Sequence, residues 1–317
     1  MVPFADRLEA AVMKRGNPVL VGLDPRVELL PEQLAPKGES GSVPQVTALH
    51  CFCCRIIDVV ADLVPAVKVQ AAFFEKFGPL GMVSLGAVIH YARQKNLLVI
   101  FDGKRNDIGS TAQAYAEGHL GPECESPWAA DALTVNPYLG GDSLEPFVHV
   151  ASQRGAGVFV LVKTSNPGGG MFQDLVADGR PIYRHVGAYV EKVAAKTAGS
   201  CGYGAVGAVV GATYPEQLAE LRSEMPHAWF LIPGFGAQGG TARDVAAAFD
   251  QYGRGAIVNN SRAIIFAYRD RPYVDRFGAG RWQEAVEAAT RQMIEEIRDQ
   301  TPAGKLGIAA DTSRCCQ

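Results

Sequence analysis

Between residues 102 and 107 the chain sets Asp102, Lys104, Arg105 and Asp107 directly behind five apolar residues, 97–101, reading LLVIF. Asp102 and Lys104 are separated by one glycine, and residues two apart on a strand point to the same side. A lysine held between carboxylates stays protonated, because neighbouring negative charge favours its charged form. It is then a poor nucleophile and a poor Schiff-base former, but a good proton donor to a developing carbanion. The plainer reading of the same residues is a surface ion pair at a strand end. What separates the two is where the strand delivers its charges.

Other polar residues stand at the ends of apolar runs in the same way. Asp24 closes the run 18–25, PVLVGLDP, and Lys68 sits inside PAVKVQ at 65–70. A lysine in a buried strand is costly unless paired, so the carboxylates at the strand ends are its expected partners. The run VFVLVK leads into Thr164, Ser165 and Asn166, where Ser165 or Asn166 could bind a polar ligand group, and glycines 168–170 suggest a mobile loop.

Residues 234–239, GFGAQG, formally match GxGxxG, which alone is a weak signal. A dinucleotide fold needs that motif on an early strand-to-helix turn, with an acidic residue closing the next strand. Here it comes late, and the next run ends in Asn259 and Asn260. An anion site is the better reading, because glycines let backbone N–H groups approach a phosphate. Gln238 and Arg262 are then the gripping side chains, with Pro233 and Ser261 beside them. The six histidines (50, 90, 119, 149, 185 and 227) are scattered, form no triad or metal pattern, and read as structural.

The elements that must position these residues are eight short, continuously apolar runs: 18–25, 65–70, 97–104, 131–138, 158–165, 205–212, 229–236 and 255–262. Strands buried on both faces read this way. Helical patterns lie between them, among them 46–63 and 213–226, where Thr213 is the expected N-cap and Pro215 a first-turn residue. Residues 1–16 pattern as an amphipathic helix, and another helix follows the eighth run. Alternating strand and helix predicts an α/β fold with a parallel sheet. Eight strands without a break predict a closed (β/α)8 TIM barrel, a single domain over residues 1–300. Insertions are expected near 31–46 and 113–127, and a flexible tail over 301–317. The active site of such a barrel lies at the C-terminal ends of its strands, where Asp24, Lys68, Asp102, Lys104, Ser165, Pro233 and Arg262 all fall.

Composition narrows the partners. The 317 residues carry 30 Lys and Arg against 33 Asp and Glu, a net charge of −3, which leaves no basic footprint for nucleic acid or an anionic membrane. No run of 18 uncharged apolar residues predicts a membrane span. The N-terminus lacks a signal-peptide core, so a cytoplasmic protein is expected. Seven cysteines, an odd count, argue against a disulfide framework. Cys51, Cys53 and Cys54 lack the full zinc pattern, with its second pair of ligands, and are expected on one helix as small apolar residues.

The chain resembles the orotidine 5′-phosphate decarboxylases, in particular their longer bacterial form, from about residue 4 to 290. The resemblance is carried by LVPAVKVQAAFFEKFG, FDGKRNDIGSTAQAYA, DALTVNPYLGGD, FVLVKTSNPGG and IPGFGAQGG. The central DxKxxDIxxT string reads here Asp102, Lys104, Asp107, Ile108 and Thr111. The resemblance implies decarboxylation of orotidine 5′-monophosphate to uridine 5′-monophosphate (UMP), the last step of de novo pyrimidine nucleotide biosynthesis, with no metal and no cofactor. It implies a homodimer with shared active sites, Asp107, Ile108 and Thr111 entering the partner's site. Lys104 would protonate C6 as carbon dioxide leaves, and Asp102 would sit against the substrate carboxylate. Lys68 and Asp24 would hold the ribose hydroxyls, Ser165 would meet the pyrimidine amide edge, and Gln238 and Arg262 would hold the phosphate. The chain departs from the pattern at Asn106, where glycine is common, and at Val69, where proline is common. The nearest rival is a magnesium-dependent sugar-phosphate decarboxylase or aldolase on the same scaffold. Those relatives look to carry an acidic metal ligand on the second strand, where this chain has Lys68.

Overall fold

The computed structural model describes residues 1–36, 41–236 and 239–307. Each apolar run forms a strand: β1 (Val19–Leu23), β2 (Ala66–Gln70), β3 (Leu98–Arg105), β4 (Ala132–Val135), β5 (Gly157–Lys163), β6 (Val206–Val210), β7 (Phe230–Ile232) and β8 (Ala256–Asn260). They pair in chain order, all parallel, and β8 pairs back to β1 to close the barrel. Every residue of β1, β6 and β8 is buried, as a sheet covered by helices outside and side chains inside requires.

Helix α1 (Phe4–Arg15) closes the N-terminal end of the barrel. Its buried stripe is Phe4, Ala5, Leu8 and Val12, and Gly16 ends it in the left-handed conformation. Phe4 meets Phe159 of β5 edge-on at 5.9 Å, and Arg7 pairs with Asp131 just ahead of β4. With that end filled, the C-terminal ends of the strands are the open face.

Helix α2 (Ser42–Val60) carries all three clustered cysteines. By length and composition it is apolar enough to cross a membrane. In the fold its stripe of Leu49, Phe52, Cys53, Ile56, Ile57 and Val60 is buried, packed against α3 (Gly78–Gln94) and the long closing helix Trp282–Gln300. Phe52 stacks on Phe266 at 5.6 Å and lies 5.5 Å from Trp282. Burying one such ring is worth about 2–3 kcal/mol.

The structure bears on four expectations in detail. The insertion expected over 31–46 is cut short, because α2 already begins at Ser42; residues 37–40 lie outside the described set. The insertion expected over 113–127 overlaps α4 (Gly109–His119), whose buried face is only Ala112, Ala116 and His119. That face is too small to register as an apolar stripe. Thr213 is not an N-cap: Tyr214 holds that position ahead of the helix Pro215–Glu224, and the Thr213 hydroxyl donates to the Ser165 carbonyl at 3.4 Å. The flexible tail does not start at 301, since Pro302–Lys305 form a short turn with Ala303 and Leu306 buried. Residues 308–317 lie outside the described set.

Candidate active site

The strand ends surround a cleft of about 620 Å³. At its floor both oxygens of Asp102, 5% exposed, are fully engaged. Oδ2 accepts from Lys68 Nζ at 2.7 Å and Gln70 Nε2 at 3.0 Å. Oδ1 accepts from Lys104 Nζ at 2.7 Å and the Thr134 hydroxyl at 2.9 Å. Lys68, also 5% exposed, lies 3.8 Å from Asp24 as well. The register explains the convergence. Gln70 of β2 is the partner of Asp102 in β3, so Lys68 and Gln70 reach the carboxylate from the same side of one strand.

The plain alternation expected for Asp102 and Lys104 does not hold. The β3–β4 register slips between Phe101 and Arg105, and Lys104 adopts φ +44°. A bulge re-aims a side chain in this way, and positive φ at a lysine persists only where its surroundings enforce it. Here the Lys104 N–H donates to the Thr134 hydroxyl at 3.0 Å. Thr134 thus holds the lysine backbone and the aspartate together. The Lys104 side chain is 46% exposed, against 8% for Asp102, so one end of the network is sealed and the other faces the cleft.

Burial alone would raise the Asp102 carboxyl, but the Lys68 and Lys104 ammonium groups and their hydrogen bonds outweigh it and hold it well below the usual carboxylate range. Burial likewise opposes charge on Lys68, and the Asp102 and Asp24 carboxylates overcome it and raise its pKa. The depressed carboxyl fixes the sign of a pH effect. Its stabilising contribution is complete above the unfolded-state pKa of about 4 and is lost as pH falls toward the folded value. Asp102→Asn, which cannot ionise, is expected to cost about 3 kcal/mol or more at neutral pH. The gap in Tm from the wild type should narrow below about pH 4. A gap that stays constant down to about pH 2 would mean that Asp102 titrates like a free carboxyl.

Ser165 and Asn166 line one wall beyond β5, Pro233 follows β7, and Ser261 and Arg262 follow β8. Arg262 has no carboxylate partner among the described residues, and Lys68, Lys104 and Arg262 outnumber Asp24 and Asp102 around the cleft. Such a cleft favours an anion. Asp24 Oδ1, Asn259 Oδ1 and Ser261 Oγ are buried there with no hydrogen-bond partner among the described residues. Buried polar atoms are normally satisfied, so these three mark hydrogen-bonding positions for a ligand. Gly22 makes room for one of them: a Cβ there would lie 1.8 Å from Ser261 Oγ.

Asp107, Ile108 and Thr111 do not line this cleft. Asp107 Oδ1 accepts from the Ile108 N–H at 2.8 Å, and Ile108 is 57% exposed. Gln238 lies outside the described residues. None of the six histidines lines the cleft; His119 is buried between Phe101 and Trp128. The sequence reasoning missed Gln70, Thr134 and Asn259. The available signals were Gln70 two residues after Lys68, and the lone hydroxyl inside the apolar run of β4.

The model of the orotidine 5′-phosphate decarboxylase / HUMPS family matches residues 18–277. An orotidine 5′-phosphate decarboxylase of Rhodopirellula baltica is 57% identical over 302 residues, covering 94% of this chain and all of that protein. One from Caldicellulosiruptor bescii is 39% identical over 287 residues, covering 87% and 93%. Among solved structures, the OMP decarboxylase of Leishmania donovani superposes with a TM-score of 0.71 at 31% identity, covering 94% of this chain and 98% of that one.

Proposed function

The chain belongs to the orotidine 5′-phosphate decarboxylase / HUMPS family, and on that premise we propose that its cleft decarboxylates orotidine 5′-monophosphate to UMP, with Lys104 as the group that stabilises and protonates C6. The observation that carries this reading is the Lys68–Asp102–Lys104 network at the floor of an anion-favouring cleft. When the C6–carboxylate bond breaks, its electron pair stays on C6 in an orbital the ring cannot delocalise. Positive charge fixed beside that carbon lowers the barrier, and preorganised charge is the strongest stabilisation such a site can offer. The Lys104 ammonium supplies the charge and then its proton, which completes UMP. Its half-exposed side chain regains a proton from water. Asp102 orients Lys104 and stands where the substrate carboxylate enters.

The rest of the cleft binds. Asp24 and Lys68 meet the ribose hydroxyls, Ser165 the amide edge of the base, and Arg262 with Gln238, Pro233 and Ser261 the phosphate. The unpartnered atoms of Asp24 and Ser261 support two of these assignments. Binding energy gained at the phosphate, far from the reacting bond, is available to close loops around the base.

Asp107, Ile108 and Thr111 serve the cleft of a second subunit. Their absence from their own cleft supports this, as does the apolar surface around them. The Asn136 N–H donates to the Arg105 carbonyl at 3.0 Å, which places the loops after β3 and β4 side by side. Ile108, Tyr138 and Leu139 are exposed there.

The donor set argues against the magnesium-dependent alternative. A divalent cation is held by carboxylate charge that no neighbouring cation already balances, and here the Lys68 ammonium stands beside both Asp24 and Asp102 while Lys104 takes the remaining Asp102 oxygen. Decarboxylation, followed by the ultraviolet absorbance of orotidine 5′-monophosphate, is expected to proceed at an unchanged rate in excess EDTA. Loss of activity on chelation, restored by magnesium, would overturn this assignment.

A further inference from the structure

Lys163 closes β5 with a side chain 1% exposed, and the mechanism above does not use it. A buried ammonium persists only where something compensates it. Its charge partner is Asp174, which lies eleven residues on, at the end of the short helix Gly170–Gln173, and is half exposed. The neighbouring residue in each segment repeats the connection. Gln173 Oε1 accepts from the Thr164 N–H at 3.0 Å, and Gln173 Nε2 donates to the Thr164 hydroxyl at 2.8 Å. Two consecutive residues at the strand end therefore grip two consecutive residues at the far end of a loop. Between the two grips lie Ser165, Asn166, Gly169 and Phe172, which form one wall of the cleft. Gly170 permits the close approach, since a Cβ there would lie 2.6 Å from Asp174 Oδ2.

We propose that the Lys163–Asp174 pair is a latch that holds the loop 164–174 in the shape that binds the pyrimidine, which makes Lys163 and Asp174 positioning residues for decarboxylation. The latch is built to open without stranding its buried cation. Lys163 Nζ lies 4.5 Å from the Tyr214 ring centre and 5.4 Å from that of Tyr183. Two aromatic faces at that range offset part of the cost to the ammonium when its carboxylate leaves, and Asp174, half exposed, has water to swing into. The loop thus has a closed state and an accessible open one, and the ion pair sets the balance between them. Apparent affinity scales with the closed fraction.

This rests on the reading of Ser165 as a contact to the base, which Ser165→Ala tests separately through its own effect on KM. The latch is tested with Asp174→Ala, Lys163→Met and the double variant, by steady-state decarboxylation and inhibition by UMP. Asp174 is half exposed and methionine matches the lysine stem, so both variants are expected to fold. Each should raise KM and the UMP inhibition constant together by about tenfold, as a fall in the closed fraction to about a tenth requires, with kcat within about threefold of wild type. The double variant should be no worse than the worse single one, because both remove the same interaction. An Asp174→Ala protein with wild-type KM and UMP inhibition overturns the latch whatever its Tm, and so does a loss confined to kcat.

Discussion

Lys104→Ala is expected to lose decarboxylation by on the order of 10⁴-fold or more in kcat, because the substitution removes both the fixed positive charge and the proton donor. That loss corresponds to about 5.5 kcal/mol of transition-state stabilisation. It belongs in kcat more than in KM, since the carbanion that the ammonium faces does not exist in the bound substrate. The fold should survive, because Asp102 keeps Lys68, Gln70 and Thr134 as partners. Lys104→Arg separates the two roles. A guanidinium retains the charge but does not give up a proton, so it should recover part of the electrostatic effect and leave C6 protonation slow. The assay follows the absorbance of orotidine 5′-monophosphate with enzyme at high concentration. An alanine variant within tenfold of the wild-type kcat would remove Lys104 from the chemistry.

The fold was legible because a parallel barrel buries both faces of each strand, so β1 to β8 appear in the sequence as unbroken apolar runs. Charged residues at the ends of such runs have one place to go, the open rim, and this is why Asp24, Lys68, Asp102 and Lys104 were recognisable together. Three things were not visible. Helix α4 packs through two alanines and a histidine, and small residues leave no periodic stripe to read. The bulge at Lys104 depends on a hydrogen bond to Thr134, thirty residues away in sequence, and no local pattern announces it. Lys163 read as the last residue of a strand because its partner, Asp174, lies in a loop whose return to the barrel is a tertiary fact. Alternation brought Asp102 and Lys104 together on the wrong backbone geometry, and the pairing itself survives because Thr134 supplies what the flat strand would have supplied.

Asp107→Ala is expected to lower kcat by at least about 100-fold, the cost of losing one preorganised group at a reacting centre, although its side chain lies outside the cleft of its own chain. On the proposed shared-site reading, its route to a reacting centre is through a symmetric dimer whose interface brings the same loop of each subunit to the site of the other. This makes a prediction that separates sharing from action within one chain. In a dimer of Lys104→Ala with Asp107→Ala, one site inherits both defects and the other inherits neither. Equal mixing under conditions that let subunits exchange should yield mixed dimers as half the population, and so restore about a quarter of the wild-type activity from two nearly inactive proteins. The recovered activity should show the wild-type KM, since the rebuilt site is wild type in every residue. If Asp107 acted within its own chain, each mixed dimer would carry one defect per site and mixing would restore nothing. Mass measurement of the mixture establishes that exchange took place, so a failure of recovery in the presence of mixed dimers counts directly against the shared site.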